Sequence, residues 1–205
     1  MTPGAGRGPR VAIVDYHAGN LTSVVKGLTA AGAEPFVTQN ASEVATADAV
    51  VVPGVGHFGA TTAIASGMRD VLRSMVDAQR PMLGICLGLQ FLFEGSDEAS
   101  DVPGLGVLPG RCYLLHGDVK VPHVGWNTLE RERDSPILAG VSETSYVYYT
   151  HSYAAPAGDA TVASTTYGST FAGVVQRGRV FGVQFHPEKS GEDGMRILRN
   201  FVALC

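Results

Sequence analysis

Three short apolar runs constrain this chain more than any other feature: residues 11–14 (VAIV), 49–52 (AVVV) and 81–85 (PMLGI) each break at once into a loop. A run of four or five residues with no polar face reads as a strand buried on both sides, and such strands belong to parallel sheets. Between the runs the period changes. Leu21, Val24, Val25 and Leu28 recur at helical spacing until Gly32, Met68, Val71, Leu72 and Met75 mark a second helix, and residues 34–37 supply a further short strand. Strands alternating with helices predict an α/β fold with a mostly parallel central sheet flanked by helices. Beyond about Val102 the sequence turns glycine-rich. Runs at 107–115, 146–153, 161–166, 172–176 and 180–185 predict added antiparallel strands in the second half, with a hairpin turn near Gly178 and a closing helix over 195–204.

At 205 residues the chain can bury one good-sized core and shows no linker, so a single domain over 11–205 is expected, with the Gly- and Pro-rich residues 1–10 as a loose tail. A formal charge of −4 argues against nucleic acid as a partner. The first apolar run stops at Asp15, too soon for a signal peptide or a membrane span. Cys86, Cys112 and Cys205 are odd in number and lack metal-ligand spacing. That pattern speaks against a disulfide framework and against a metal site and fits a cytoplasmic protein; no cofactor is expected.

In open parallel sheets ligands gather at the carboxyl ends of the strands, which here means the loops 15–20 and 53–57 and the turn at Cys86. The segment Gly84-Ile85-Cys86-Leu87-Gly88 sets a cysteine where an apolar strand turns sharply into a helix. A nucleophile on such an elbow needs small residues two positions to either side, because a Cβ there collides with adjoining backbone. A hundred residues later an apolar strand ends in His186-Pro187-Glu188. Side chains at i and i+2 share a face of an extended chain, and Pro187 biases His186 toward extended geometry. His186 is thereby placed to serve the thiol while Glu188 orients the imidazole. The N–H of Leu87 and the Gly54-Val55-Gly56 loop are the candidate oxyanion donors, since glycines let main chain approach closely. Together they describe acyl transfer: attack on a carbonyl, protonation of a leaving amine by His186, a thioester on Cys86, and hydrolysis.

Taken alone, Cys86 reads equally well as a small buried residue; the elbow and the His-Pro-Glu segment together favour the nucleophile. Cys112 and Cys205 have no base beside them. His17, His57, His116 and His123 read as surface or partner-facing rather than catalytic. His151 stays open between a hydrogen-bonded core histidine and a pocket residue. Gln90, one helical turn past Cys86, suits either a substrate hydrogen bond or an ordinary helix surface, and Asn20 and Lys189 have a loop polar group and a solvated charge as their plainer readings.

Gly84-Ile85-Cys86-Leu87-Gly88-Leu89-Gln90 with Phe185-His186-Pro187-Glu188 closely resembles the class I glutamine amidotransferases, and the resemblance implies their single-domain, flavodoxin-like fold. Asp15-Tyr16, Gly19-Asn20-Leu21, Pro53-Gly54-Val55-Gly56-His57-Phe58, Pro122-His123-Val124-Gly125-Trp126-Asn127 and Lys189-Ser190 are similar to the glutaminase subunits of imidazole glycerol phosphate synthase in particular. That likeness implies hydrolysis of L-glutamine to glutamate and ammonia, and ammonia delivery to a (β/α)8-barrel cyclase subunit in histidine biosynthesis, yielding imidazole glycerol phosphate and AICAR. It implies Cys86, His186 and Glu188 as the catalytic triad and Leu87 with Gly54 and Val55 as the oxyanion hole. Gly54, Gly56, Gln90, His151, Ser152 and Tyr153 would bind glutamine, and Asn20, Pro122, His123, Trp126 and Lys189 would face the partner. A glutaminase serving a different synthase, such as one making pyridoxal phosphate, would share the triad without the Pro-His-Val-Gly-Trp-Asn segment. His17 departs from the family, which usually carries Gly there, and its Cβ restricts the loop that presents Asn20.

Overall fold

The computed structural model describes residues 7–205. Five strands pair in parallel in the order β2 (Glu34–Thr38), β1 (Arg10–Val14), β3 (Ala49–Gly54), β4 (Met82–Cys86) and β13 (Val180–Val183). The sheet continues antiparallel from β13 through β12 (Ser169–Arg177), β11 (Thr161–Tyr167) and β8 (His123–Arg131) to β9 (Thr144–His151). Gly178, at φ 57°, makes the β12–β13 turn where the sequence places it. A second sheet joins β10 (Tyr153–Ala154), β7 (Arg111–Leu114), β5 (Gly95–Ser96) and β6 (Ala99–Pro103). It flanks the end of the parallel strands where loops gather.

Alternation along the strands sends side chains into two cores, one on each face of the large sheet. Val11, Ile13, Val51, Leu83, Ile85, Phe181 and Val183 pack under α1 (Leu21–Ala30) and α5 (Gly191–Val202) through Val24, Leu28, Ile197, Leu198 and Phe201. Ala12, Val14, Val50, Val52 and Met82 pack on the other face under α2 (Ala41–Ala45), α3 (Ser66–Asp77) and α4 (Leu87–Leu92), through Val44, Met68, Leu72, Met75 and Leu89. Burying a Leu or Phe side chain fully contributes about 1.5–3 kcal/mol, so these two layers hold the parallel half rigid beneath its loops.

Several boundaries differ from the sequence expectation. Of the expected tail, residues 1–6 lie outside the described residues, whereas Arg10 already opens β1 and the Pro9 carbonyl accepts the Glu34 N–H at 2.9 Å. Within the expected strand 107–115 only Arg111–Leu114 is extended, because Gly106 and Gly110 take positive φ and bend the chain just before it. The closing helix begins at Gly191, four residues earlier than apolar spacing suggests, since its first turn is polar and acidic (Glu192, Asp193). Strand β8 carries no apolar alternation strong enough to announce it.

Candidate active site

Strand β4 runs straight into α4, and Cys86 sits at the junction with φ 53° and ψ −106°. A residue with a Cβ rarely occupies that region, and such strain gathers at functional sites. The flanking glycines make the turn sterically possible: a Cβ on Gly84 would lie 2.6 Å from the Gly88 carbonyl oxygen, and one on Gly88 only 1.7 Å from that of Val52. The parallel register sets Gly54 beside Cys86. Cys86 is nearly buried, at 5% exposure; the Gln184 Nε2 donates to its sulfur at 3.7 Å, and the thiol is set 4.0 Å from the Thr150 carbonyl, which accepts from it.

His186 reaches the sulfur from beyond β13. The strand stops at Val183, and His186 precedes a single 3₁₀ turn, Pro187–Lys189, so the pair expected on an extended face meets across a tight turn instead. Pro187 still keeps His186 out of helical geometry, at φ −99° and ψ 98°. Its backbone is clamped: the N–H donates to the Tyr148 carbonyl at 2.9 Å, and the Ser190 hydroxyl donates to its carbonyl at 2.6 Å. The imidazole Nδ1 lies 2.9 Å from Glu188 Oε1. Burial pulls the His186 pKa down, but Cys86 and Glu188 together outweigh burial and raise it to about 9. The imidazole therefore holds its proton at neutral pH, with Nε2 not yet committed to a completed hydrogen bond.

Above the sulfur opens a cleft of about 330 Å³. Gly56, Leu87, Gln90, His151, Ser152 and Tyr153, all expected to contact oxyanion or substrate, line it with Cys86. Gly54 and Val55 are not on its wall: Gly54 is buried with the Tyr16 hydroxyl close against it, and Val55 faces solvent. Pro122, expected to face a partner, is exposed and lies on the cleft wall as well. Sequence reasoning missed Glu98 and Thr150 on the wall and Gln184 against the sulfur. Gln184 follows an apolar strand two positions ahead of His186, and that spacing was its one available signal. Glu98 lies among other acidic residues between β5 and β6, with nothing local to distinguish it; its carboxylate also accepts the Phe58 N–H at 2.6 Å and so ties down the end of the 53–57 loop.

The remaining candidates separate by burial. His123 is buried, not surface-exposed, because β8 alternates: Val124 and Trp126 point outward, so the odd-numbered His123 and Leu129 point inward. His151 turns out to satisfy both of its alternatives, lining the cleft while its Nδ1 lies 2.9 Å from the Tyr153 carbonyl. Gln90 is buried, donating to the same carbonyl at 2.8 Å. Asn20 caps α1 by accepting the Ser23 N–H at 3.4 Å, and exposed Lys189 holds its ammonium 5.8 Å over the Tyr148 ring. His17 adopts φ 64°, the backbone that a glycine would take without strain. Cys112 is buried and its thiol pushed well up by that burial; burial likewise raises Cys205 to about 11. Among the described residues no cluster of His, Cys, Asp and Glu suits a metal ion, and no helix is long and apolar enough to cross a membrane.

A thiol on a strained strand–helix turn, with an imidazole–carboxylate pair beside it on a doubly covered sheet, is the arrangement of a cysteine amidotransferase. The family model for glutamine amidotransferase class-I matches residues 12–205, and the chain belongs to that family. Its fold is shared with the structure of PurLQS from Thermotoga maritima, at TM-score 0.77 and 19% identity over 96% of this chain and 98% of that one. A crystal structure of a glutamine amidotransferase matches at TM-score 0.75 and 20% identity, covering 94% and 97%.

Within the class the chain groups with the HisH subunits of imidazole glycerol phosphate synthase. The subunit from Bacillus cereus (strain B4264) is 48% identical over 195 residues, 93% of each chain. The one from Halobacterium salinarum is 47% identical and covers 100% of this chain and 98% of its own, and the one from Methanocaldococcus jannaschii is 40% identical over 95% and 99%.

Proposed function

We propose that the chain hydrolyses L-glutamine at Cys86 and passes the ammonia to a (β/α)8-barrel cyclase subunit, which forms imidazole glycerol phosphate and AICAR in the histidine pathway of the cytoplasm. The pairing of His186 with Glu188, adjoining the strained Cys86, carries the chemical part of this reading. The thiolate attacks the side-chain carboxamide carbon, and the developing oxyanion takes the Leu87 N–H and a donor from the Gly54–Val55 peptide. His186 gives its proton to the departing nitrogen, releasing ammonia and leaving a thioester. The neutral imidazole then removes a proton from water as it adds to the thioester, and glutamate leaves as the sulfur is regenerated. Glu188 fixes the imidazole throughout.

The cleft chemistry fits glutamine at both ends. Glu98 supplies a carboxylate for the α-ammonium group, while Gly56, Ser152 and the main chain around His151 and Tyr153 line the remaining wall. On the outer face of β8 and β9, Val124, Trp126 and Tyr146 are 57%, 55% and 60% exposed, an apolar patch suited to a partner protein. The same strands lead into the cleft through Pro122 and Thr150, so docking there adjoins the sulfur, and Asn20 and Lys189 extend the contact. The lone chain is a weak glutaminase, and the cyclase with its ligand raises turnover by reorienting the Gly54–Val55 peptide. The test is ammonia release by wild type and Cys86→Ala, each with the cyclase: loss of activity in the variant is expected, and equal rates would overturn the assignment.

A further inference from the structure

Two buried histidines outside the triad link the partner-facing strand to the cleft, and their hydrogen bonds assign themselves from both ends. The Tyr153 carbonyl can only accept, so the His151 Nδ1 at 2.9 Å carries a proton. Burial lowers the His151 pKa to about 3 and that of His123 to about 4, so both rings are neutral at physiological pH. His151 Nε2 is then an acceptor, and the His123 Nδ1, 3.2 Å away, donates to it. At the far end Asn127 Oδ1 accepts the Thr128 N–H at 2.8 Å. Its Nδ2 accordingly donates to the Thr166 carbonyl at 3.2 Å and reaches His123 Nε2 at 3.4 Å. Each end independently demands the Nδ1–H tautomer of His123.

The His123 ring has no freedom to tilt out of this line. Tyr167 stacks on one face at 3.9 Å and 15°, and Tyr149 stacks at 4.9 Å and 20°. Both plates are themselves fixed, since the Tyr167 hydroxyl donates to the Lys120 carbonyl at 2.8 Å and the Tyr149 hydroxyl lies 2.6 Å from Thr165 Oγ1. Toward the sulfur the line continues: the Tyr153 carbonyl also accepts from Gln90 Nε2, which donates to Gln184 Oε1 at 3.4 Å, and Gln184 Nε2 donates to Cys86. A fully satisfied buried network of this kind holds its members in one arrangement.

We propose that His123 is a positioning residue for the glutamine cleft: through His151 it holds the Tyr153 carbonyl and Gln90 where substrate meets them. The proposal rests on reading the cleft as the glutamine site. His123 touches no substrate, and its neighbours Val124 and Trp126 on the same strand face outward, so β8 joins the docking face to the network.

Glutaminase kinetics of the complex with the cyclase test it. His123→Phe keeps an aromatic ring between the tyrosines and deletes the donor to His151; KM for glutamine should rise about tenfold with kcat within about threefold. His123→Asn restores an N–H near the Nδ1 position and should recover most of the loss. A KM for His123→Phe within about twofold of wild type, or no difference between the two variants, overturns the proposal. Imidazole ¹⁵N–¹H NMR of the wild-type chain needs no variant and decides the matter should His123→Phe fail to fold: Nδ1–H on both rings is required, and Nε2–H on His123 overturns it. Failure of the glutaminase reading is separate, shown by a Cys86→Ala complex as active as wild type.

Discussion

Glu188 Oε1 and His186 Nδ1 lie 2.9 Å apart with both side chains only 2% exposed, and a 3₁₀ turn rather than a strand brings them together. Glu188→Gln keeps the volume while removing the acceptor charge. Because the orienting carboxylate also stabilises imidazolium, kcat should fall about a hundredfold or more, with KM for glutamine little changed. Steady-state kinetics of the cyclase complex measure it.

The same pair makes stability depend on pH at the alkaline end. The His186 pKa is raised from 6.5 to about 9 in the fold, so its contribution is fully present below about pH 6.5 and is lost as pH rises through 9. Urea unfolding at pH 6.5 and 9.5 should show a loss of up to about 3 kcal/mol in wild type, and a clearly smaller one in Glu188→Gln.

His151 and His123 act in the opposite range. Their pKa values fall to about 3 and about 4, so the unfolded chain takes up protons first and stability drains as pH drops below about 6.5. Between pH 6 and 4.5 each site adds a slope of about 1 to 1.4 kcal/mol per pH unit, and His123→Phe should remove one site's share. Unfolding midpoints across that range give the slopes.

Gly88→Ala tests the elbow. Its Cβ would stand 1.7 Å from a β3 carbonyl oxygen that cannot retreat without disturbing the sheet, so a cost of at least about 3 kcal/mol is expected. Thermal unfolding and thiol alkylation should both register it, the second because Cys86 leaves its place.

Glu98→Gln preserves an acceptor for the Phe58 N–H and removes the negative charge from the cleft. KM for glutamine should rise about tenfold or more, with the melting temperature nearly unchanged, since the charge-assisted hydrogen bond proposed between Glu98 and the α-ammonium group would be lost.

The parallel half and the grouping of Cys86 with His186 and Glu188 were legible because their signals are local. Runs such as 11–14 and 49–52 lack a polar face, and no other residue tolerates the contacts at Gly84 and Gly88. The antiparallel half was only partly legible: β8 mixes histidine, tryptophan, asparagine and glycine, and its partners lie up to dozens of residues away in β9 and β11. Register alone decided that His123 faces inward while Trp126 faces out, and a partner-facing motif read as one block concealed that alternation.

Amino-acid order by itself determined where a strand must bend sharply enough to present a thiol, and that an imidazole and a carboxylate stand two positions apart. Only tertiary structure decided what surrounds them: that Gln184 donates to the sulfur, that Glu98 lines the cleft, and that His151 belongs to a buried hydrogen-bonded line. The physical reason is range. Steric limits and periodicity act between near neighbours in the chain, whereas burial and hydrogen-bond partnership depend on which distant strands the sheet sets side by side.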